Sequence, residues 1–120
     1  METPKIFDSE YHFCQILWDN EPVGSTELVR LCAEKLGWKK STTYTMLKKL
    51  SLKDLVKNEN SMVTSLVPRD EVQTCESELF VKQTFSGSLP GFLVAFLDGK
   101  KISAREAEEL KQLIDQYRED

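Results

Sequence analysis

Apolar residues fall at helical spacing along most of this chain, interrupted once by two short strand patterns. Phe13, Ile16 and Leu17 form a first stripe with Trp18 near its end, the spacing of an amphipathic helix. Asp8 is placed to cap it, and Asp19-Asn20-Glu21-Pro22 should stop it, because proline disfavours helix at the residue before it. Val23-Gly24 reads as a short extended link. Ser25 or Thr26 then caps a second helix with the stripe Leu28, Leu31, Cys32 and Leu36, ended by Gly37. Trp38 to Ser41 makes a tight turn into a third helix, expected over Ser41 to Lys53, with Ser41 as its cap. Two helices joined by so short a turn have helix-turn-helix spacing, and the third helix takes the recognition position. Leu55 to Asn58 and Met62 to Val67 read as strands around the turn Glu59-Asn60-Ser61. A hairpin directly after a helix-turn-helix is the wing of a winged helix.

The remaining pattern is helical. Pro68 opens a long helix to about Phe85, with Val72, Cys75 and Leu79 on one side and Gly87 as its break. Pro90 opens a short, very apolar helix from Gly91 to Leu97, broken by Asp98-Gly99. Ser103-Ala104-Arg105-Glu106 matches a capping box, with Ile102 placed to staple onto Ala107. The last helix carries Ala107, Leu110, Leu113, Ile114 and Tyr117 on one stripe. A segment this short has little core of its own; packing against the same region of a second copy is the favoured cover, and folding back onto its own winged helix is the alternative. The expected fold is therefore mainly α with a small β-hairpin wing. Residues 1–67 form a winged-helix DNA-binding domain and residues 68–120 a helical dimerisation region, its contacts carried by Leu79, Phe92, Leu93, Phe96, Leu110 and Leu113.

Composition narrows the classes. Apolar residues make up 40% and charged residues 30% of the 120, a globular balance. The longest strongly apolar run, Phe92 to Leu97, is far short of the ~20 residues that span a bilayer, so direct membrane insertion is excluded. METPKIFDSE has no apolar leader, and a cytoplasmic location is expected. Cys14, Cys32 and Cys75 are odd in number, widely spaced and without a CxxC, so neither a disulfide framework nor a metal site is expected. With one histidine and no GxSxG, HExxH or P-loop, the chain is read as no enzyme and as needing no cofactor.

The net charge of −4 argues against nucleic acid until its distribution is considered. From Trp38 to Lys57 there are six lysines against the single acid Asp54, whereas from Pro68 onward acids outnumber bases eleven to seven. DNA responds to the local patch. Leu47 and Leu50, with Met46 beside them, would anchor one side of the third helix to the core. The other side then shows Ser41, Thr42, Tyr44, Thr45, Lys48 and Lys49, with Lys39 and Lys40 at its start. Hydroxyls flanked by cations suit a helix in the major groove of double-stranded operator DNA. The plain reading is a solvated lysine-rich helix. The alternative function is a winged-helix protein–protein adaptor without operator binding.

The ordered set of motifs resembles the penicillinase-repressor family of bacterial transcription regulators (the BlaI/MecI/CopY type), from about Ile6 to the C-terminus. Glu10-Tyr11 followed by Ile16-Leu17-Trp18 is similar to the family's first helix, and Gly37-Trp38 with Thr42 and Thr45 to its entry into the recognition helix. Phe85, Gly87 and the stretch to Ala95-Phe96 resemble its short apolar helix. Ile102-Ser103, Glu106 and Glu108-Glu109-Leu110 resemble its last helix. The resemblance implies a dimeric winged-helix repressor of palindromic operators. In the penicillinase branch it also implies a membrane zinc metalloprotease sensor as partner and cleavage in the short apolar helix, here at Ala95-Phe96. The sequence departs from the family in four places. Lys39-Lys40-Ser41-Thr42 stands where Ser-Pro-Lys-Thr is frequent. Tyr44 replaces a basic residue, the wing is about four residues short, and Ala95 replaces the Asn of the cleavage pair.

Overall fold

The structure is a computed structural model that describes residue 6 and residues 8–119. Met1 to Lys5 and Phe7, most of the segment read as lacking a leader, lie outside the described residues. The elements run α1 (Asp8–Asn20), β1 (Val23–Gly24), α2 (Ser25–Leu36), α3 (Lys40–Leu52), β2 (Val56–Glu59), β3 (Met62–Ser65), α4 (Arg69–Phe85), α5 (Leu89–Leu97) and α6 (Ala104–Tyr117). The chain divides into two compact units, Met1–Phe80 and Val81–Asp120. The boundary falls inside α4. No described helix is long and apolar enough to cross a membrane.

The first unit has a continuous core. Phe13 and Leu17 of α1, Leu28 and Cys32 of α2, Leu50 of α3 and Val63 of β3 are fully enclosed. Each sits on the stripe that its helical or strand period selects. α2 ends where Gly37 takes a left-handed conformation (φ 70°), which any side chain would strain. The Gly37 and Trp38 amides return to the carbonyls of Ala33 and Cys32. The Trp38 ring then stacks on Phe13, centroids 6.1 Å apart, and fixes the entry to α3. At the far end of α3, Asp54 is left-handed (φ 60°) and the Leu55 amide turns back onto Leu50.

Several boundaries differ from the expected ones: β3 ends at Ser65 and not Val67, α5 starts at Leu89 and not Gly91, and three further differences lie at β1, at the α3 cap and in the wing turn. The link Val23-Gly24 is a true strand: β1 pairs antiparallel with β3, Val23 opposite Val63, giving the sheet order β1-β3-β2. Pairing holds the chain extended through Gly24, so Gly24 is the N-cap of α2. Ser25 is a buried helical residue whose amide donates to Ser61. The cap of α3 is Lys39, in extended conformation and with no side-chain cap bond, and Ser41 lies exposed in the first turn. The wing turn contains only Asn60 and Ser61, with φ of 54° and 63°. This is the doubly left-handed two-residue turn that matches strand twist. Glu59 therefore belongs to β2, facing Met62.

In the second unit α5 begins under a Ser88 cap that accepts from the Gly91 amide, with Pro90 in its first turn. Ser103 accepts from the Glu106 amide and starts α6 as its capping motif requires. Neither α5 nor α6 contributes a fully buried residue among those described.

Candidate nucleic-acid interface

α3 separates its residues as the spacing demands. Thr43, Leu47 and Leu50 are buried, and Lys39, Lys40, Ser41, Thr42, Tyr44, Thr45, Lys48 and Lys49 are exposed. All eight sequence-selected residues thus lie at the start or along the open side of one helix. The Lys40 ammonium stands 6.0 Å from the Tyr44 ring centroid, so the exposed tyrosine lies beside a cation. Donors, acceptors and positive charge converge here on a convex rod about as wide as the major groove admits.

The wing behaves differently. Lys57 pairs with Glu59 at 2.8 Å, two residues apart on the same side of β2. The hydrogen bond and charge of the lysine hold the Glu59 carboxyl below its ordinary range, and the two opposite charges offset each other. Met62, next to the turn, is exposed. The hairpin gives α3 a packed neighbour but adds no net positive charge.

One residue of the site escaped the sequence pattern. Glu10 of α1 is fully buried. Its carboxylate accepts from Lys53 at 3.0 and 2.9 Å and lies 3.5 Å from Lys49. The signal was present: Glu10, Phe13, Cys14 and Leu17 stand at i, i+3, i+4 and i+7, an acid on the apolar stripe. Beside it, burial pushes the Cys14 thiol up to about 12, and the Glu10 charge adds to that rise. Burial also raises Cys32, with the Thr43 hydroxyl acting in the opposite direction. Both are inert core thiols at neutral pH. No cluster of described residues could hold a metal ion.

The residues expected to pair two chains sit on the second unit or near its boundary. Leu79, Phe92 and Leu93 are half-buried, while Phe96, Leu110 and Leu113 are exposed, Phe96 at 56%. Phe92 packs edge-on to Phe85 and lies 5.9 Å from Phe96. The Ala95-Phe96 bond falls within α5. Lys100 covers the Phe96 ring at 5.3 Å and donates to the Phe96 carbonyl at 2.8 Å.

Three helices with a short turn before the third, closed by a three-stranded sheet with a hairpin, define a winged helix. A sequence model of the penicillinase repressor family matches residues 6–116; the chain belongs to that family. It is 21% identical over 119 residues to the penicillinase repressor of Bacillus licheniformis, covering 96% of this chain and 93% of that one. It is 20% identical over 117 residues to the methicillin resistance regulatory protein MecI of Staphylococcus aureus, covering 94% and 95%. Among solved structures, it is similar to the monomeric form of Bacillus licheniformis BlaI in complex with the blaP half-operator. The TM-score is 0.51 at 20% identity, over 58% of this chain and 90% of the other.

Proposed function

We propose that the chain is a cytoplasmic, dimeric transcriptional repressor that binds palindromic operator DNA through α3. The observation that carries this is the open face of α3, where hydroxyls, a tyrosine and lysines share one side of a helix docked by Leu47 and Leu50. Thr42, Tyr44 and Thr45, near the helix start, read base edges. Lys39, Lys40, Lys48 and Lys49 contact phosphates, and Ser41 adds a hydroxyl contact near the backbone. Membership of a repressor family and the half-operator complex of a fold neighbour support the same reading. Selection of duplexes from a randomised pool tests it: the full chain should enrich an inverted repeat, and enrichment of nothing would sink the proposal.

The second unit supplies the dimer. Its exposed Phe96, Leu110, Leu113 and Ile114 need cover that one chain does not give them, and residues 68–120 of a second copy provide it. Release is proteolytic, downstream of a membrane zinc metalloprotease sensor. A cut at Ala95-Phe96 separates α6 from the rest. Because that bond is helical and capped by Lys100, α5 must open locally before any protease can take it.

A further inference from the structure

The buried carboxylate behind the recognition helix has no part in reading bases or phosphates, yet it is tied to one residue of that helix and to its C-cap. Lys49 of α3 and Lys53, the C-cap that follows it, are four apart and so lie along one edge. Both point their ammonium groups at Glu10 of α1, a side chain with no exposed surface. The two contacts are unequal. Lys53 reaches both carboxylate oxygens at 3.0 and 2.9 Å and is 26% exposed; Lys49 stands at 3.5 Å and is 52% exposed. Lys53 is thus the inner partner. Lys49 lies between a buried anion on one side and the solvent-facing side of α3 on the other.

We propose that Glu10 is a positioning residue for DNA binding: through Lys53 it docks the last turn of α3 onto α1, and by holding Lys49 it withdraws part of that charge from the DNA face. The inference deepens the DNA-binding reading and rests on it. A buried carboxylate must keep cationic partners, since an uncompensated charge in the core is strongly disfavoured. Removing the carboxylate sends Lys49 outward to phosphate. Removing Lys53 draws Lys49 inward to replace it. The two changes therefore move DNA binding in opposite directions, although both remove the same contact between α1 and α3.

The test uses the full-length chain and a short duplex of random sequence, titrated by fluorescence anisotropy over a salt series. Glu10→Gln should bind more tightly than wild type, with a log–log salt slope steeper by up to about one unit per protomer, the share of one added phosphate contact. Lys53→Met should bind more weakly, with a slope shallower by up to about the same amount. Adding Lys49→Met should abolish both differences. A merely structural role would lower thermal stability in both variants and move the slopes in one direction or not at all; that result overturns the inference. If Glu10→Gln does not fold, Lys53→Met decides alone. Lys49→Met should then have no effect on the slope in that background, and a further fall would overturn the proposal. A wild-type chain that binds no duplex at any salt overturns the DNA-binding reading, and this inference with it. Ordinary wild-type binding with unchanged variant slopes overturns only the role of Glu10.

Discussion

The two units bury their apolar residues very differently. In the first, α1, α2 and α3 each send two or more side chains into a closed core, and Phe13, Leu17, Leu28 and Leu50 have no exposed surface. In the second, α5 and α6 bury none among the described residues, and Tyr117 is 81% exposed. Yet α5 is the most apolar stretch of the chain, and α6 has a well-formed stripe. Apolar content therefore does not decide burial; available partners do. The winged helix finds its partners within one chain, through three helices crossing over a small sheet. The second unit has two helices and the end of a third, with no sheet to close them, too few to enclose Phe96 or Ile114. That contrast is the physical basis for assigning DNA contact to one unit and self-association to the other.

The contrast breaks first at the cores. Leu50→Ala removes a side chain with no exposed surface from the helix that carries the candidate contacts. It should cost about 2–5 kcal/mol in denaturant unfolding, the usual range for such a truncation. Ile114→Ala, at a side chain 56% exposed, should leave unfolding of the winged helix within about 0.5 kcal/mol of wild type. Equal costs at the two sites would mean that the second unit has a core of its own.

The next largest effect concerns the partner copy. Phe96→Asp places a charge on the face proposed to meet a second chain. Light scattering should show a monomer with an intact winged helix, and apparent affinity for a two-half-site duplex should fall about 10²-fold or more as effective concentration is lost. A wild-type chain that is already monomeric at micromolar concentration would refute the division of labour.

Much of this architecture was legible in the sequence because period, caps and breakers agreed: all six helices, the two hairpin strands and the open side of α3 follow from them. What was not legible depended on contacts distant in sequence. Val23-Gly24 is too short to show strand propensity and becomes β1 only by pairing with β3. That pairing, in turn, moved the α2 cap to Gly24. The α3 cap moved to Lys39 because Trp38 stacks on Phe13 and holds the chain extended beyond it. Glu59 read as turn by its polarity, whereas the left-handed Asn60 and Ser61 close the turn without it. Glu10 was hidden for a similar reason. A carboxylate invites a surface assignment, and the ammonium groups of Lys49 and Lys53 help to make its burial tenable.

Within the first unit, base readout can be separated from phosphate attraction. Tyr44 is exposed beside Lys40 near the start of α3. Tyr44→Ala should cost about 1–3 kcal/mol on the selected duplex and much less on a scrambled one, the scale of one lost base contact. Equal losses on both would make Tyr44 a backbone contact or a packing residue, and sequence discrimination would then rest on Thr42 and Thr45.

The smallest expected effect is that of a single lysine on the same helix. Lys48 is the cleaner probe than Lys49, because Lys49 also lies 3.5 Å from Glu10 and its removal mixes two consequences. Lys48 is exposed on the side of α3 away from Leu47 and Leu50. A lysine that neutralises one phosphate releases about one counterion, whatever the bases beneath it. Lys48→Ala should therefore weaken binding to selected and scrambled duplexes alike and lower the log–log salt slope by about one unit per protomer. Lys111→Ala, at an exposed lysine of α6 in the second unit, should leave that slope unchanged. If both lysines lower it equally, the second unit also touches DNA, and the partition between a binding unit and an assembly unit fails.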